Sequence, residues 1–252
     1  MKKYYVLLLV GSLMLANCKE KVKQEEVAET EEMSITKTSI MDENDWIMLF
    51  DGTSFDGWKG YLKDEMPANW KLEDGAMVFY PPSERPKGES YNIVSEQAFT
   101  NFVLSLEWKV AEGGNSGIFW GIKEDAKYGQ PYETGPEIQV LDDERHPDAK
   151  NGTTHQAGAL YDMVAPVEQA VNKAGEWNTC ILTVNYKEQR GSVALNGKEI
   201  VTFPLDNDQW DALVSKSKFA SWEGFGKFQT GKIGLQDHGD VVAFRNIKIK
   251  EL

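Results

Sequence analysis

A strict alternation of side chains constrains the fold of this chain more than any other feature. Over residues 102–110, Phe, Leu, Leu, Trp and Val occupy every second position and are separated by Val, Ser, Glu and Lys. A period of two places the large apolar groups on one face of an extended strand, whereas a helix would repeat them every three to four residues. The pattern therefore predicts a β-strand with one buried face.

Two dipeptides predict tight connections between neighbouring strands. Asp74-Gly75 lies between two short apolar runs within residues 70–79, and Asn196-Gly197 separates residues 192–195 from residues 198–203. Asn-Gly and Asp-Gly adopt the positive φ angles that two-residue hairpin turns require. Both segments are therefore predicted to be β-hairpins, and the second is the stronger signal.

Strand patterns continue through the rest of the chain, and helix patterns are scarce. Further strands are expected at residues 118–122, 137–141, 177–186, 232–235 and 242–249. Many short strands separated by Gly and Asn indicate a single all-β domain, a β-sandwich or jelly roll. One short helix is expected within 207–218. Three loops, 80–91, 142–156 and 206–227, are long enough to suggest a functional role.

The N-terminus resembles a bacterial lipoprotein signal. Met1-Lys2-Lys3 precedes an apolar stretch that ends in Leu15-Ala16-Asn17-Cys18. The stretch is shorter than the roughly 20 apolar residues of a membrane-spanning helix, so residues 1–17 are predicted to be a signal peptide. Cys18 would become the lipidated N-terminus in the cell envelope, on the periplasmic side or at the outer-membrane surface. The alternative is an ordinary signal peptide with an incidental Cys.

The segment that follows is predicted to be a tether. Residues 18–45 are rich in Glu, Lys, Thr and Ser and contain no aromatic residue. Such a composition cannot bury enough apolar surface to offset the entropy of ordering. The folded domain is therefore expected at residues 46–252, joined to the membrane only through the lipid.

The composition indicates which classes of ligand the protein is expected to bind. The formal net charge of −13 would repel a phosphate backbone, so nucleic acid is not an expected partner. The eight Trp and nine Tyr residues are compatible with carbohydrate binding, because sugar C–H faces stack on aromatic rings. The same residues are also ordinary components of a sandwich core.

The second cysteine has a structural explanation. Cys180 shares an alternating face with Leu182 and Val184. A buried, unreactive thiol is therefore expected rather than a catalytic one, and no disulfide is possible if Cys18 is lipidated.

A few polar residues occupy positions that the alternation of strands alone does not explain. Glu137 and Gln139 share one face of a predicted strand, Asn115 lies in a Gly-rich segment before another, and His238 follows a third. From the pattern alone, Glu137 and Gln139 could equally lie on a solvated outer face. His238 could equally be a turn residue bonded to backbone.

Short motifs in order along the chain resemble one family. They are Leu49-Phe50-Asp51-Gly52, Gly57-Trp58, Trp70 to Gly75, Gly114-Asn115-Ser116-Gly117-Ile118-Phe119, Gly135 to Asp142, His146-Pro147-Asp148-Ala149, His155-Gln156-Ala157-Gly158, Leu160-Tyr161-Asp162, Gly175-Glu176-Trp177-Asn178, Asn196-Gly197, Gly234-Leu235-Gln236-Asp237-His238-Gly239 and Phe244-Arg245-Asn246-Ile247. This set is similar to the 3-keto-disaccharide hydrolase family, also described as 3-keto-glucoside 1,2-lyase and 3-keto-2-hydroxy-glucal hydratase. Trp120 departs from the pattern, because many members are expected to have Arg there.

The resemblance implies an enzyme with a concanavalin-like jelly-roll fold and a sugar cleft. Glu137 and Gln139 would face that cleft, and the loop carrying His146, Asp148 and His155 would lie over it. A 3-keto group acidifies the C2 proton, so a base can remove it, the C1 oxygen can leave by β-elimination, and water can add to give 3-keto-glucose.

Roles for individual residues follow from that resemblance. His238 would be the base or a ligand that polarises the ketone, and Glu137 the complementary acid–base group or a second ligand. A divalent metal bound to the 3-keto and 2-hydroxyl oxygens would stabilise the enediolate, and Glu137 and the three His residues are candidate ligands for it. The residues expected to bind the sugar are Asn115, Trp120, Gln139, Asp142, His146, His155 and Tyr161.

Two other functions are compatible with the same sequence. A non-catalytic carbohydrate-binding lipoprotein could have the same sandwich, because fold does not fix function. A conventional glycosidase would need two carboxylates at a defined separation, and the segment around Glu137 does not supply an obvious pair.

Overall fold

The computed structural model describes residues 45–252, which form two antiparallel β-sheets packed face to face in a concanavalin-like jelly roll. The strands are β1 Ile47–Phe50, β2 Trp58–Gly60, β3 Trp70–Glu73, β4 Ala76–Phe79, β5 Ile93–Phe99, β6 Phe102–Val110, β7 Asn115–Ile122, β8 Glu137–Leu141, β9 Asn178–Asn185, β10 Arg190–Leu195, β11 Lys198–Pro204, β12 Gly231–Leu235 and β13 Val242–Glu251. The expected all-β fold is confirmed.

The larger sheet contains eight strands. Its order is β11-β10-β9-β6-β13-β4-β3, with β1 also paired to β13. Both predicted hairpins lie in this sheet: the turn between β3 and β4 has φ of 50° at Asp74 and 74° at Gly75, and that between β10 and β11 has 50° at Asn196 and 83° at Gly197. Consecutive positive φ angles are those of a type I′ turn, which matches the twist of the flanking strands.

Strand β6 supplies the centre of the core, as its alternation predicts. Phe102, Leu104, Leu106, Trp108 and Val110 are buried, whereas the residues between them are half-buried. Neighbouring β9 buries Cys180 beside Leu106, and burial raises the pKa of this thiol to about 12. The thiol is therefore protonated and unreactive, as expected.

The smaller sheet has the order β2-β5-β12-β7-β8. Ile118 and Trp120 of β7 and Ile138 and Val140 of β8 belong to the core cluster that also contains Leu104 of β6. These residues therefore point toward the larger sheet, and the other face of β7 and β8 is free to form a site.

The connections are long and partly helical. Helix α1, Asp208–Val214, confirms the short helix expected in this region, and Asn207 caps it by accepting from the backbone N–H groups of Gln209 and Trp210. Three short 3-10 helices, Pro131–Glu133, Pro147–Asn151 and Thr153–His155, lie in the loops on either side of β8.

The signal peptide, the lipidated Cys18 and nearly all of the tether lie outside the described residues. Among residues 45–252, no helix is long and apolar enough to cross a membrane.

Candidate active site

Strands β7 and β8 present polar side chains on the face that points away from the core. Since Ile138 and Val140 pack inward, Glu137 and Gln139 face outward, and both line a cavity together with Asn115. The exposed fractions are 8% for Glu137, 1% for Gln139 and 3% for Asn115. This face is therefore not a solvated sheet surface, because loops cover it.

The carboxyl group of Glu137 lies over Gly117 of the neighbouring strand. A Cβ atom at Gly117 would lie only 2.2 Å from Oε1 of Glu137. On the other side of β7, the backbone N–H of Gln236 donates to the carbonyl of Gly117 at 2.9 Å, which brings the Gln236 side chain toward the same carboxyl group. The missing side chain of Gly117 thus creates the space in which Glu137 is held.

The environment of Glu137 favours its protonated form. Burial raises the pKa of Glu137 to about 8, and Asp148 acts in the same direction, although the Lys218 ammonium and a hydrogen bond from Gln236 oppose the rise. A carboxyl group removed from water becomes harder to ionise, which accounts for the dominant effect. At neutral pH Glu137 is therefore mainly a proton donor.

The chain that follows β12 brings His238 to the rim of the same cavity. Asp237 anchors this segment, because it forms a bidentate ion pair with Arg85 and accepts the backbone N–H of Tyr91 at 2.8 Å. The next residue, His238, is more than a third exposed and lines the cavity. The predicted convergence of Glu137, Gln139 and His238 in one depression is present.

The imidazole of His238 favours its neutral form. Partial burial lowers the pKa of His238, and the nearby His146 lowers it further, although Asp240, Asp148 and Asp237 oppose the shift. A neutral imidazole has a free lone pair and can accept a proton. His238 and Glu137 thus hold complementary protonation states at neutral pH.

A second polar network supports the side wall of the cavity. Asp148 accepts the hydroxyl of Tyr161 at 2.9 Å and the amide of Gln139 at 3.4 Å. The ring of His155 lies between two carboxylates, 3.0 Å from Asp148 and 3.1 Å from Asp162. Tyr161 and Gln139 line the cavity as expected. His155 does not, since its two ring nitrogens contact Asp148 and Asp162. The predicted contact of His155 with the substrate is therefore not supported.

The placement predicted for Trp120 is wrong. Trp120 has no exposed surface and packs against Phe203 of β11, with ring centroids 5.6 Å apart. Asn115 and Trp120 are an odd number of residues apart on β7, so they point to opposite faces of the strand. The indole is a core residue and does not reach a sugar in this cavity.

Asp142 is also a structural residue. Its carboxylate accepts the backbone N–H groups of Gly113 at 2.7 Å and Glu144 at 3.1 Å, and it pairs with Arg145. Burial would raise the pKa of Asp142, but these bonds outweigh burial and lower it. Asp142 fixes the loops at one end of β7 and β8 and lies outside the cavity, so its predicted contact with sugar hydroxyls is not supported.

His146 belongs to a small group of possible metal ligands. One donor atom each from His146, His238 and Asp240 lies within 4.8 Å of the others, whereas Glu137 and His155 are outside the group. However, Nδ1 of His146 accepts the backbone N–H of Asp148 at 3.1 Å. A neutral ring then carries its proton on Nε2, whereas a metal-bound His normally donates through its second nitrogen. His146 therefore suits hydrogen-bond donation near His238 better than metal coordination in this conformation.

Several residues of the cavity lining were not among the site residues predicted from the sequence. They include Arg85, Tyr132, Lys218 and Trp222. Loops 80–91 and 206–227 were expected to be functional, and they supply three of these four. The sequence gives no periodic signal for which loop side chains turn inward, because tertiary packing decides that.

The strands and loops that carry the lining side chains surround one cavity of about 350 Å³. Its lining residues are Arg85, Glu89, Ser90, Asn92, Asn115, Gln130, Tyr132, Glu137, Gln139, Tyr161, Lys218, Phe219, Trp222, Gln236, Asp237 and His238. Within residues 45–252, the buried oxygens Oδ1 of Asn115 and Oε1 of Gln236 have no hydrogen-bond partner. Buried acceptors of this kind are normally satisfied, so these two are available to hydroxyl groups of a ligand.

Known structures share this architecture. A proposed glycosyl hydrolase from Parabacteroides distasonis is 31% identical, with a TM-score of 0.75 over 85% of this chain and 99% of its own. A second protein of the same description and organism is 27% identical, with a TM-score of 0.61 over 83% of this chain and 100% of its own.

Sequence comparison identifies the family. A protein from Bacteroides thetaiotaomicron named 3-keto-disaccharide hydrolase is 39% identical over 236 residues, which cover 84% of this chain and 80% of the relative. Residues 45–250 match the family described as the 3-keto-alpha-glucoside-1,2-lyase-like domain. The chain therefore belongs to the 3-keto-alpha-glucoside-1,2-lyase-like family, as its motifs predicted.

Proposed function

We propose that this protein cleaves 3-keto-glycosides, including 3-keto-disaccharides, by removing the C2 proton and expelling the C1 substituent. The observation that carries the proposal is that Glu137 and His238 line one cavity, where burial raises the pKa of the Glu137 carboxyl group and lowers that of the His238 imidazole. The name of the Bacteroides thetaiotaomicron relative supports the choice of a 3-keto-disaccharide as substrate.

The chemistry needs one base and one acid. The 3-keto group makes the C2 proton acidic, because its removal gives an enolate. In the elimination step the C2–H and C1–O bonds break, a C1=C2 double bond forms, and the departing oxygen takes a proton. A base and an acid whose pKa values lie on either side of neutrality are suited to such a reaction.

The cavity provides a group for each step. His238 accepts the C2 proton, and Glu137 protonates the leaving oxygen. Lys218 is exposed but has its ammonium group 4.0 Å from the centroid of the Tyr161 ring and near enough to Glu137 to oppose its rise in pKa. This cation stabilises the enolate oxygen electrostatically. The unpartnered oxygen of Asn115 accepts a sugar hydroxyl.

Water completes the reaction without any other reactant. Once the leaving group has gone, Glu137 is ionised and can take a proton from water, whose oxygen adds to C1. His238 is exposed to solvent, so its imidazolium exchanges the abstracted proton with water before it delivers a proton to C2. The net change is hydrolysis, which releases 3-keto-glucose and restores both groups to their starting states.

The two-carboxylate glycosidase is a weaker candidate. Asp237, a second buried carboxylate of the cavity, is bound by both terminal nitrogens of Arg85 and by the backbone N–H of Tyr91. A carboxylate with these partners is a poor nucleophile. The non-catalytic alternative gives no reason for a buried carboxyl group that remains protonated.

The roles are tested by assaying Glu137→Gln and His238→Gln on a 3-keto-glucoside. Each change removes a proton-transfer group and keeps side-chain bulk. Turnover should fall by about 10²–10⁴-fold in each case. Glu188→Gln is the matched control, because it changes an exposed carboxylate that does not line the cavity. Wild-type turnover is expected. Full activity of both site variants would remove these residues from the mechanism.

A further inference from the structure

A second cavity of about 370 Å³ adjoins the first. Tyr132 and Trp222 line both cavities, and their rings are inclined at 40° with centroids 5.9 Å apart. The second cavity, named here the outer groove, continues past this aromatic pair to Tyr128 and Gly224. The two volumes are nearly equal, so the pair separates two spaces of similar capacity.

The outer groove is a fixed part of the fold. Gly224 packs so closely on the Tyr128 ring that an added Cβ would lie 2.7 Å from it. The backbone N–H of Gly226 donates to the carbonyl of Thr134 at 2.8 Å, and the hydroxyl of Tyr61 donates to the carbonyl of Tyr128 at the same distance. These contacts tie the two walls together, so binding would not have to order them first.

The chemistry of the groove suits a sugar ring. Tyr128, Tyr132 and Trp222 are half-buried and offer aromatic surface for stacking with sugar C–H groups. At the rim, Lys127 pairs with Glu223 at 2.6 Å, and both side chains are largely exposed. An exposed ion pair retains donors and acceptors that can bond hydroxyl groups. An aromatic floor with a charged rim therefore matches the two kinds of surface on a pyranose.

The position of Glu137 gives the two cavities different roles. Tyr132 lines both cavities and Glu137 lines the first, and the charge of Glu137 acts on the Tyr132 hydroxyl, so the proton donor lies close to the shared wall. His238 instead packs against His146, with ring centroids 6.0 Å apart. The leaving oxygen must approach Glu137, so the group attached to that oxygen extends past Tyr132.

We infer that the outer groove is the leaving-group subsite and that its ligand is a second hexopyranose ring. The inference rests on the proposed function and makes it more specific. The oxidised ring occupies the first cavity, the glycosidic oxygen lies beside Glu137, and the second ring of a disaccharide stacks in the outer groove. The protein is then selective for disaccharides over glycosides with small leaving groups.

The test compares two substrates in the full-length protein. One is the 3-keto derivative of a glucosyl-glucose disaccharide, and the other is the 3-keto derivative of methyl glucoside, whose leaving group cannot reach the groove. Tyr128→Ala removes a wall of the outer groove without touching the first cavity. The ratio of kcat/KM for the disaccharide to kcat/KM for the methyl glycoside should fall by about tenfold.

Two further variants make the result specific. Trp222→Phe keeps an aromatic plane, so it should lower the ratio less than Trp222→Ala does. Tyr80→Ala removes an exposed tyrosine outside both cavities and should leave the ratio unchanged. Equal losses on both substrates in Tyr128→Ala, or no loss on either, would overturn the subsite. If the wild-type protein turned over neither substrate, the proposed function would fail, and the subsite with it.

Discussion

At the scale of single residues, the protonation state of Glu137 follows from where its carboxyl group lies. It is buried over Gly117, and this burial outweighs the nearby Lys218. The motif around Glu137 predicts the residue and its face through family resemblance. The raised pKa could not be predicted from the sequence, because it depends on a loop lysine, Asp148 and the depth of the cavity.

The two pKa shifts predict a bell-shaped dependence of kcat/KM on pH. His238 must be neutral, and its pKa is lowered, so activity should decline only as pH falls below the usual imidazole range near 6.5. Glu137 must be protonated, so activity should decline as pH rises through about 8. The measurement is kcat/KM from pH 5 to 10 after subtraction of the uncatalysed rate. Activity that keeps increasing above pH 9 would contradict the acid role of Glu137.

Gly117 is expected to be essential although it has no side chain. Gly117→Ala would place a methyl group 2.2 Å from Oε1 of Glu137, so the carboxyl group must move. A displacement of about 1 Å in a catalytic group can cost 10²-fold in rate, and a loss of this order is expected. Gly129→Ala is the control, because its new Cβ would lie 3.4 Å from its nearest neighbour. Wild-type activity in a folded Gly117→Ala variant would contradict the proposed geometry.

At the scale of elements, sequence periodicity predicted most of the sandwich. The alternation in β6 and the Asp74-Gly75 and Asn196-Gly197 turns fixed strands and hairpins, because a period of two and a positive φ are local properties. Side chains alternate between the two faces of a strand. Trp120 lies five positions from Asn115, so this alternation places it on the opposite face of β7. Family comparison alone did not reveal this. What sequence could not show is how the loops fold over β8, since non-local packing determines their conformation.

The core position of Trp120 predicts an effect on stability rather than on substrate binding. Trp120→Ala should lower the free energy of unfolding by about 3–5 kcal/mol, since it empties a fully buried site beside Phe203. Trp120→Phe should cost less. Urea denaturation measures both, with KM for a 3-keto-glucoside determined on folded Trp120→Phe. A large increase in KM with unchanged stability would instead indicate the stacking role first expected of Trp120.

At the scale of the whole molecule, the sandwich is a scaffold for three long loops. Residues 80–91 contribute Arg85 to the cavity lining, and residues 206–227 contribute Lys218 and Trp222. Residues 142–156 contribute Asp148, which accepts a hydrogen bond from the lining residue Tyr161. The loops were recognisable by length. Side chains from these loops lie over one face of the smaller sheet, in which β8 is an edge strand.

Anchoring by Cys18 remains a prediction about the whole molecule. Mass spectrometry of the protein from its native membranes should find an N-terminal peptide that begins at Cys18 and carries acyl chains. Cys18→Ser should abolish that modification, and Cys180, buried in β9, serves as the internal unmodified thiol. A mature protein that begins elsewhere and carries no lipid would contradict the envelope anchor.

The central claim is that the glycosidic bond breaks through loss of the C2 proton inside this cavity. The most direct measurement is NMR of the 3-keto-glucose released in deuterium oxide, compared with authentic product incubated alone for the same time. We predict one deuterium at C2 in the first product formed, ahead of any spontaneous exchange, and loss of both product and label in His238→Gln. Product that retains its C2 proton through wild-type turnover would contradict the elimination mechanism.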